Sequence, residues 1–329
     1  MIKNNEIQKL EKEKLKYALG ALMYCPANNK KVAENILNKK FKNLSTIVLC
    51  LEDAILPQFL DEATNMLEET LIQLQTEKRK NHINDLPLIF IRVRNPKHLE
   101  EVFKRFYSFY DIITGFVLPK YDMTVANEYL RIVRNINNYH KFYYLPILES
   151  SILMDCNCRR QVLNDIKNFL AKENSILGIL VGSNDMCSYF GFRRNAQQTV
   201  YDIGVVRDVL VDIISIFGKD YVVNGPVWEF FDGPNWKSGL QREIELDKIN
   251  GFIGKACIHP KQVEVVNECM KISYEEYEDA LELVNWDIPE GVKKSPHSGR
   301  MNEIATNQSW AERIKILGDI YGVHPYKED

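Results

Sequence analysis

The 329 residues are 45% hydrophobic and 11% aromatic, with a formal net charge of -3; this suits a globular protein with a sizeable core and gives no electrostatic case for a nucleic-acid or anionic-membrane partner. The opening MIKNNEIQKLEKEKLKYALG lacks the apolar run of a secretion signal, and no stretch reaches the ~18 apolar residues that span a bilayer; a cytoplasmic protein is expected. Seven cysteines, with one unmatched C-x-C at Cys156 and Cys158, argue against a disulfide framework and against structural zinc.

In chain order, residues 1–16 are a charged arm of helical character. Eight short apolar runs follow: ALGALMY (18–24), TIVLCLE (46–52), PLIFIRV (87–93), GFVLPK (115–120), FYYLPILE (142–149), ILGILVG (176–182), DYVVNG (220–225) and ACIHP (256–260). Continuous rather than alternating hydrophobicity predicts parallel strands covered on both faces. Between the second and third runs, Leu60, Ala63, Met66, Leu67, Leu71 and Leu74 recur at helical spacing; Leu99, Val102, Phe103, Phe106 and Tyr107 do so before the fourth. Eight strands alternating with helices over about 250 residues favour a closed (β/α)8 TIM barrel, here at 17–270. An open doubly wound sheet is the rival, but the first run leads into CPANN and not into G-x-G-x-x-G or a P-loop. Residues 271–329 form a second unit, with a helix over 274–284, a loop over 287–299 and a helix around 310–317.

In a parallel barrel, functional groups gather at the carboxyl ends of the strands. Those ends carry Glu52 and Asp53, then Arg92, Arg94 and Asn95, then Lys120, Glu149, and Asn184 with Asp185. Glu149 and Asp185 follow apolar runs on adjacent strands, so both can converge on one hard cation; alternatively each caps the helix after it. Arg92 lies inside an apolar run, where an unpaired guanidinium is costly. It either bridges to Glu52 or Asp53 or aims its planar fork at a substrate carboxylate or enolate. Arg94 shares its side of the strand. Lys120 is either a Schiff-base lysine or ion-paired to neighbouring acids. His259 reads as a hydrogen-bonded structural histidine before Pro260.

The motifs MYCPANN (23–29), LCLEDAI (49–55), IRVRNP (91–96), GFVLPKY (115–121), LPILES (145–150), VGSNDM (181–186) and GFIGKACIHPKQVEVVN (251–267) occur in this order over most of the chain. Together they resemble the citrate lyase β-subunit-like branch of the HpcH/HpaI aldolase family, within the phosphoenolpyruvate/pyruvate barrel superfamily. The tail GRMNEIATNQSWAERI (299–314) resembles a divergent C–C bond lyase branch encoded near tellurite- and stress-resistance genes. The resemblance implies a Mg2+-dependent (or Mn2+-dependent) lyase acting on a 2-oxo acid or a CoA thioester, through an enolate. It implies Glu149 and Asp185 as metal carboxylates, Arg92 as the oxyanion- and carboxylate-binding arginine, and Glu52 and Asp53 as the acidic pair. Arg94, Asn184 and Pro226 are expected substrate contacts, and Lys120 a catalytic candidate. A Claisen-type synthase or thioester hydrolase on the same scaffold, or a non-catalytic subunit of a larger complex, are the competing readings.

Three positions depart from the family pattern. Cys50 stands where the family has aspartate, Val223-Asn224 where it has Ile-Asp, and Asn302 where a C-terminal aspartate acts as acid/base. Asparagine cannot take a proton in that role, so Glu303 is the substitute candidate. In relatives this extension crosses a subunit boundary, often in trimers, which implies a homo-oligomer with Glu303 serving a neighbour. The loop 226–239 carries Trp228, Phe230, Phe231 and Trp236, which either stack on a substrate or form the loop's own cluster.

Overall fold

The computed structural model describes residues 1–81 and 83–326. Seven strands, β1 (Ala21–Pro26), β2 (Thr46–Cys50), β3 (Leu88–Arg92), β4 (Ile113–Leu118), β5 (Tyr143–Leu148), β6 (Leu180–Val181) and β7 (Lys255–Cys257), form one parallel sheet. Their order is β6-β5-β4-β3-β2-β1-β7. Every residue of β2 and β3 is buried, as expected of strands covered by helices on one face and by the barrel interior on the other.

The predicted strand at 220–225 stands between β6 and β7, held by the bridges Ile179–Val223 and Gly225–Lys255. The Asn224 amide donates to the Ile179 carbonyl at 2.8 Å and the Ala256 amide to Gly225 at 3.1 Å, which closes the ring into a TIM barrel. The ladder stops there because Pro226 has no amide hydrogen. Gly225 is required by a close approach: a Cβ at this position would lie 2.6 Å from Asp247 Oδ2.

Register fixes what the barrel presents inward. Pro26 pairs with Cys50, Cys50 with Arg92, and Arg92 with Val117, so these residues form one layer near the carboxyl ends of the strands. Long helices such as Leu60–Asn81 and Pro96–Phe106 bury the expected apolar stripes, including Leu67, Leu71, Leu74, Leu99 and Val102. Residues 1–16 form two one-turn helices, Asn4–Ile7 and Lys12–Leu15. The Asn4 and Gln8 amides donate to the carbonyls of Leu44 (2.9 Å) and Leu86 (2.6 Å). Both carbonyls precede their strands, so this segment lies against the amino-terminal end of the barrel, opposite the mouth.

The C-terminal unit consists of helix Tyr274–Val284, a hairpin of β8 (Val292–Lys294) and β9 (Met301–Glu303), and helix Ile304–Tyr321. The loop expected over 287–299 thus contains one arm of a hairpin. The last helix begins earlier than its apolar residues indicate, because its first turns are polar. Asp279, fully buried, organises the hairpin by accepting from Ser295 Oγ (2.5 Å), Ser298 Oγ (3.2 Å), Arg300 Nε (3.1 Å) and Asn302 Nδ2 (3.2 Å). Residues 327–329 of the expected extension lie outside the described residues. Among the described residues no helix is long and apolar enough to cross a membrane.

Candidate active site

The charged ends of β2, β3, β4 and β5 meet at one mouth. Arg92, the last residue of β3, is buried, and its Nη2 lies 2.8 Å from Glu52, 3.0 Å from Asp53 and 3.1 Å from Glu149. Both the bridging role and the inward placement are therefore realised in one side chain. Its Nε is buried without a partner among the described residues. The acids lift its pKa against the effect of burial, so Arg92 stays a cation.

Lys120 follows β4 in the left-handed backbone region at φ 48°, an unfavourable conformation for a side chain with a Cβ. This turn aims its amide at Glu149 Oε1, 3.1 Å away, while Nζ sits 2.6 Å from Glu52 and 3.4 Å from Asp53. Burial alone would lower the lysine pKa, but Glu52 and Asp53 raise it. A Schiff-base lysine needs a free amine, so the structure favours the ion-paired role.

Glu149 directly follows β5 and is buried; burial, against the opposing Arg92 charge and aided by Asp185, pushes its carboxyl up to about 7. Asp185 is the third residue of the short helix Ser183–Tyr189. Burial raises its pKa too. Glu52 is likewise raised, by burial and by the neighbouring Asp53 charge. Asp53 alone is held low: burial would raise it, but Glu52, Arg92 and Lys120 prevail. Gly182 leaves the space Glu149 occupies, since a Cβ there would lie 2.1 Å from Glu149 Oε2.

These groups open onto a cavity of about 410 Å³ whose polar wall includes Asp53, Arg92, Glu149, Asn184 and Asp185. The rest of the lining is largely apolar and includes Pro26, Cys50, Val181, Val227, Ala256 and Ile258, with the Tyr24 ring 5.9 Å from the Arg92 guanidinium. Among the described residues no three His, Cys, Asp or Glu side chains form a ready-made metal cage. Glu149 and Asp185 are thus a two-carboxylate set, compatible with a cation that keeps water and substrate oxygens.

Glu52 and Lys120 join the ion cluster without lining the cavity, and three further expected residues stand apart from both. Arg94 turns away to donate to the carbonyls of Glu52 (3.2 Å) and Ile55, so it holds the loop after β2 in place of facing a substrate. Pro226 is buried beside Val227, which lines the wall in its stead. Glu303 starts the last helix and its amide bonds Asn307 Oδ1 at 3.0 Å; it does not line this cavity. Asn302, 2% exposed, donates to Asp279 and Glu282, so its amide is committed to the hairpin. His259 caps helix Pro260–Cys269, its Nδ1 accepting from the Lys261 amide at 3.2 Å, and stacks on Phe231. Trp228 is fully buried against Phe230 and donates to the Trp236 carbonyl at 3.0 Å, so these aromatics pack within the loop, while Phe231 sits against His259.

Sequence reasoning missed the ion network behind this mouth. Lys255 is fully buried and its Nζ lies 2.7 Å from both Glu243 and Asp247. Glu243 also takes Arg194 and the Val200 amide (2.7 Å), and Asp247 takes the Tyr201 hydroxyl (2.7 Å). The network ties the loop 189–201 to helix Trp236–Ile249 and β7. Two acids at i and i+4 repel unless cations separate them, and that spacing was the available signal.

The fold and the mouth define a class: a parallel α/β barrel with an acid-and-arginine site at the carboxyl ends of its strands. Residues 13–323 match the family described as C-C bond lyase of the TIM-barrel fold, and the chain belongs to that family. No curated protein sequence matches it. Among solved structures, it is similar to the CitE protein of Mycobacterium tuberculosis in complex with magnesium, acetoacetate and coenzyme A, at 20% identity and TM-score 0.61, covering 92% of this chain and 100% of that one. RipC of Yersinia pestis is similar at 18% identity and TM-score 0.54, over 77% of this chain and 95% of that one. The citrate lyase β subunit of M. tuberculosis with oxaloacetate and magnesium gives 21% identity and TM-score 0.52, over 78% and 98%. The resemblance stated from the motifs is upheld; at these identities the likeness of structure shows the fold.

Proposed function

We propose that this protein is a Mg2+-dependent lyase that cleaves a carbon–carbon bond beside the carbonyl of a 2-oxo acid or acyl thioester. The observation that carries this reading is the charge count of the mouth. Glu52, Asp53, Glu149 and Asp185 bring four carboxylates against two cations, Arg92 and Lys120; four minus two leaves the charge that one divalent cation neutralises. Glu149 and Asp185, whose carboxyls burial holds in favour of the protonated form, are the pair that would exchange protons for Mg2+ or Mn2+. Similar proteins bind magnesium with pyruvate, oxaloacetate or acetoacetate, which supports a metal-bound oxo acid here.

A bound divalent cation supplies positive charge to an enolate oxygen and the neighbouring carboxylate. Arg92, with a free Nε and a guanidinium kept charged, adds charge where the negative charge develops. Lys120 and Glu52 hold the carboxylates in place, and Asn184 orients the substrate. The general base is assigned to Glu303 of a neighbouring copy, in a cytoplasmic homo-oligomer, with a trimer favoured. The apolar side chains exposed on the loops after the strands (Leu56, Phe59, Tyr189, Phe192) and on the hairpin (Val292, Met301) support such an assembly.

Calorimetric titration of Mg2+, then of pyruvate, oxaloacetate and acetyl-CoA, tests the reading. Pyruvate binding that needs metal is the expected result. Absence of both would leave the non-catalytic subunit, which the locked Asn302 amide favours. Product analysis separates the lyase from a Claisen-type synthase or thioester hydrolase.

A further inference from the structure

We infer that the cavity selects a 2-oxo acid bearing a single carboxylate and an apolar chain, and rejects 2-oxo dicarboxylates. This inference rests on the proposed lyase site and concerns the half of the cavity that the catalytic groups leave over. Arg92 is the sole cation among the described residues of the cavity wall, and its Nη2 already serves Glu52, Asp53 and Glu149. The Lys120 ammonium is paired to Glu52 and Asp53. One divalent cation brings the mouth to neutrality, and one substrate carboxylate beside it is then accommodated. A second carboxylate has two places to go. On the charged side it meets Asp53, Glu149 and Asp185, and like charges repel at short range. Elsewhere it meets Pro26, Cys50, Val227, Ala256 and Ile258, where an unpaired charge loses its water without compensation.

Cys50 and Ile258 belong to that apolar lining. Cys50, 2% exposed, ends β2 inside the register layer of Arg92, so a thiol stands one strand away from the guanidinium. Ile258, 43% exposed, follows Ala256 on the same inward side past β7 and faces the mouth. An alkyl group of the substrate removes apolar area from water against both.

The test uses two acids of equal chain length, 2-oxopentanoate and 2-oxoglutarate, which differ in one terminal carboxylate. Each is titrated calorimetrically into the full-length protein after saturation with Mg2+. The expected result is binding of 2-oxopentanoate at least about tenfold tighter than 2-oxoglutarate. In Ile258→Arg, which places a cation on the apolar wall, the preference should reverse. Val227→Lys serves the same purpose should the arginine variant fail to fold by circular dichroism. Equal or tighter binding of 2-oxoglutarate by the wild type overturns the inference while the lyase site stands. Failure of both acids to bind the Mg2+-saturated protein removes the oxo-acid reading and this inference together. Failure of Mg2+ itself to bind removes the metal site.

Discussion

Glu149 accepts from both Arg92 and the Lys120 amide, and its surroundings make separable demands. Glu149→Ala or Asp185→Ala should weaken Mg2+ by about 100-fold or more, roughly 2.7 kcal/mol, while the far-ultraviolet circular dichroism stays that of a folded barrel. Unchanged metal affinity in both variants would sink the assignment. Gly182→Ala removes no charge, yet its methyl would occupy the space of Glu149 Oε2; calorimetry should show a loss of at least about tenfold. Titration gives a further handle. Burial lifts Glu149 from its ordinary 4.5 to about 7, so the folded metal-free protein holds this proton more tightly than the unfolded chain. That contribution to stability is full below about 4.5 and is lost as pH rises through about 7. Glu52 and Asp185 shift in the same direction. Mg2+ competes with these protons, so the rise in Tm on adding it should be small at pH 5.5 and larger at pH 8. A rise independent of pH would mean that the ion binds elsewhere. The acids and Arg92 were legible because charged residues at strand ends are conspicuous against apolar runs. The pairing of Lys120 with neighbouring acids was legible too, but not the turn that directs its amide to Glu149, since a positive φ in a non-glycine residue leaves no mark in the sequence.

At the scale of elements, the outward side of β7 and the C-terminal hairpin are both held by buried carboxylates. Lys255→Met would leave Glu243 and Asp247 facing each other in a dry interior, where breaking a buried pair costs about 3–5 kcal/mol; urea unfolding should register that loss. A cost below about 1 kcal/mol would show that the loop 189–201 is anchored by other contacts. Asn302→Asp would set a third carboxylate beside Asp279 and Glu282, both of which accept from the asparagine amide. The expected penalty is about 1–3 kcal/mol, visible as faster proteolysis within 292–303. This explains in physical terms why the hairpin carries an amide at that position. Helix Tyr274–Val284 was readable from its periodicity, whereas the hairpin was not, because its strands are three residues each and exposed on β8. The short runs at β6 and 222–225 likewise gave positions without revealing that bridges alone close the ring there.

For the whole molecule, eight apolar runs at near-regular spacing disclosed the barrel, since burial on both faces leaves a parallel strand little choice of composition. They could not disclose which walls the cavity has, because that depends on register across neighbouring strands. The exposed apolar side chains at the mouth and hairpin give the proposed assembly its test: sedimentation velocity should yield a species near three times 38.3 kDa. A monomer at micromolar concentration would place the general base within the single chain. The stretch from Lys255 to Ile258 divides its labour by direction. Lys255 points outward into the ion network, while Ala256 and Ile258 contribute to the cavity wall. Drift at 256 and 258 can therefore retune which molecules are accepted without disturbing the anchorage, whereas 255 is closed to change; the scaffold keeps its innovation and its integrity on opposite faces of four consecutive residues.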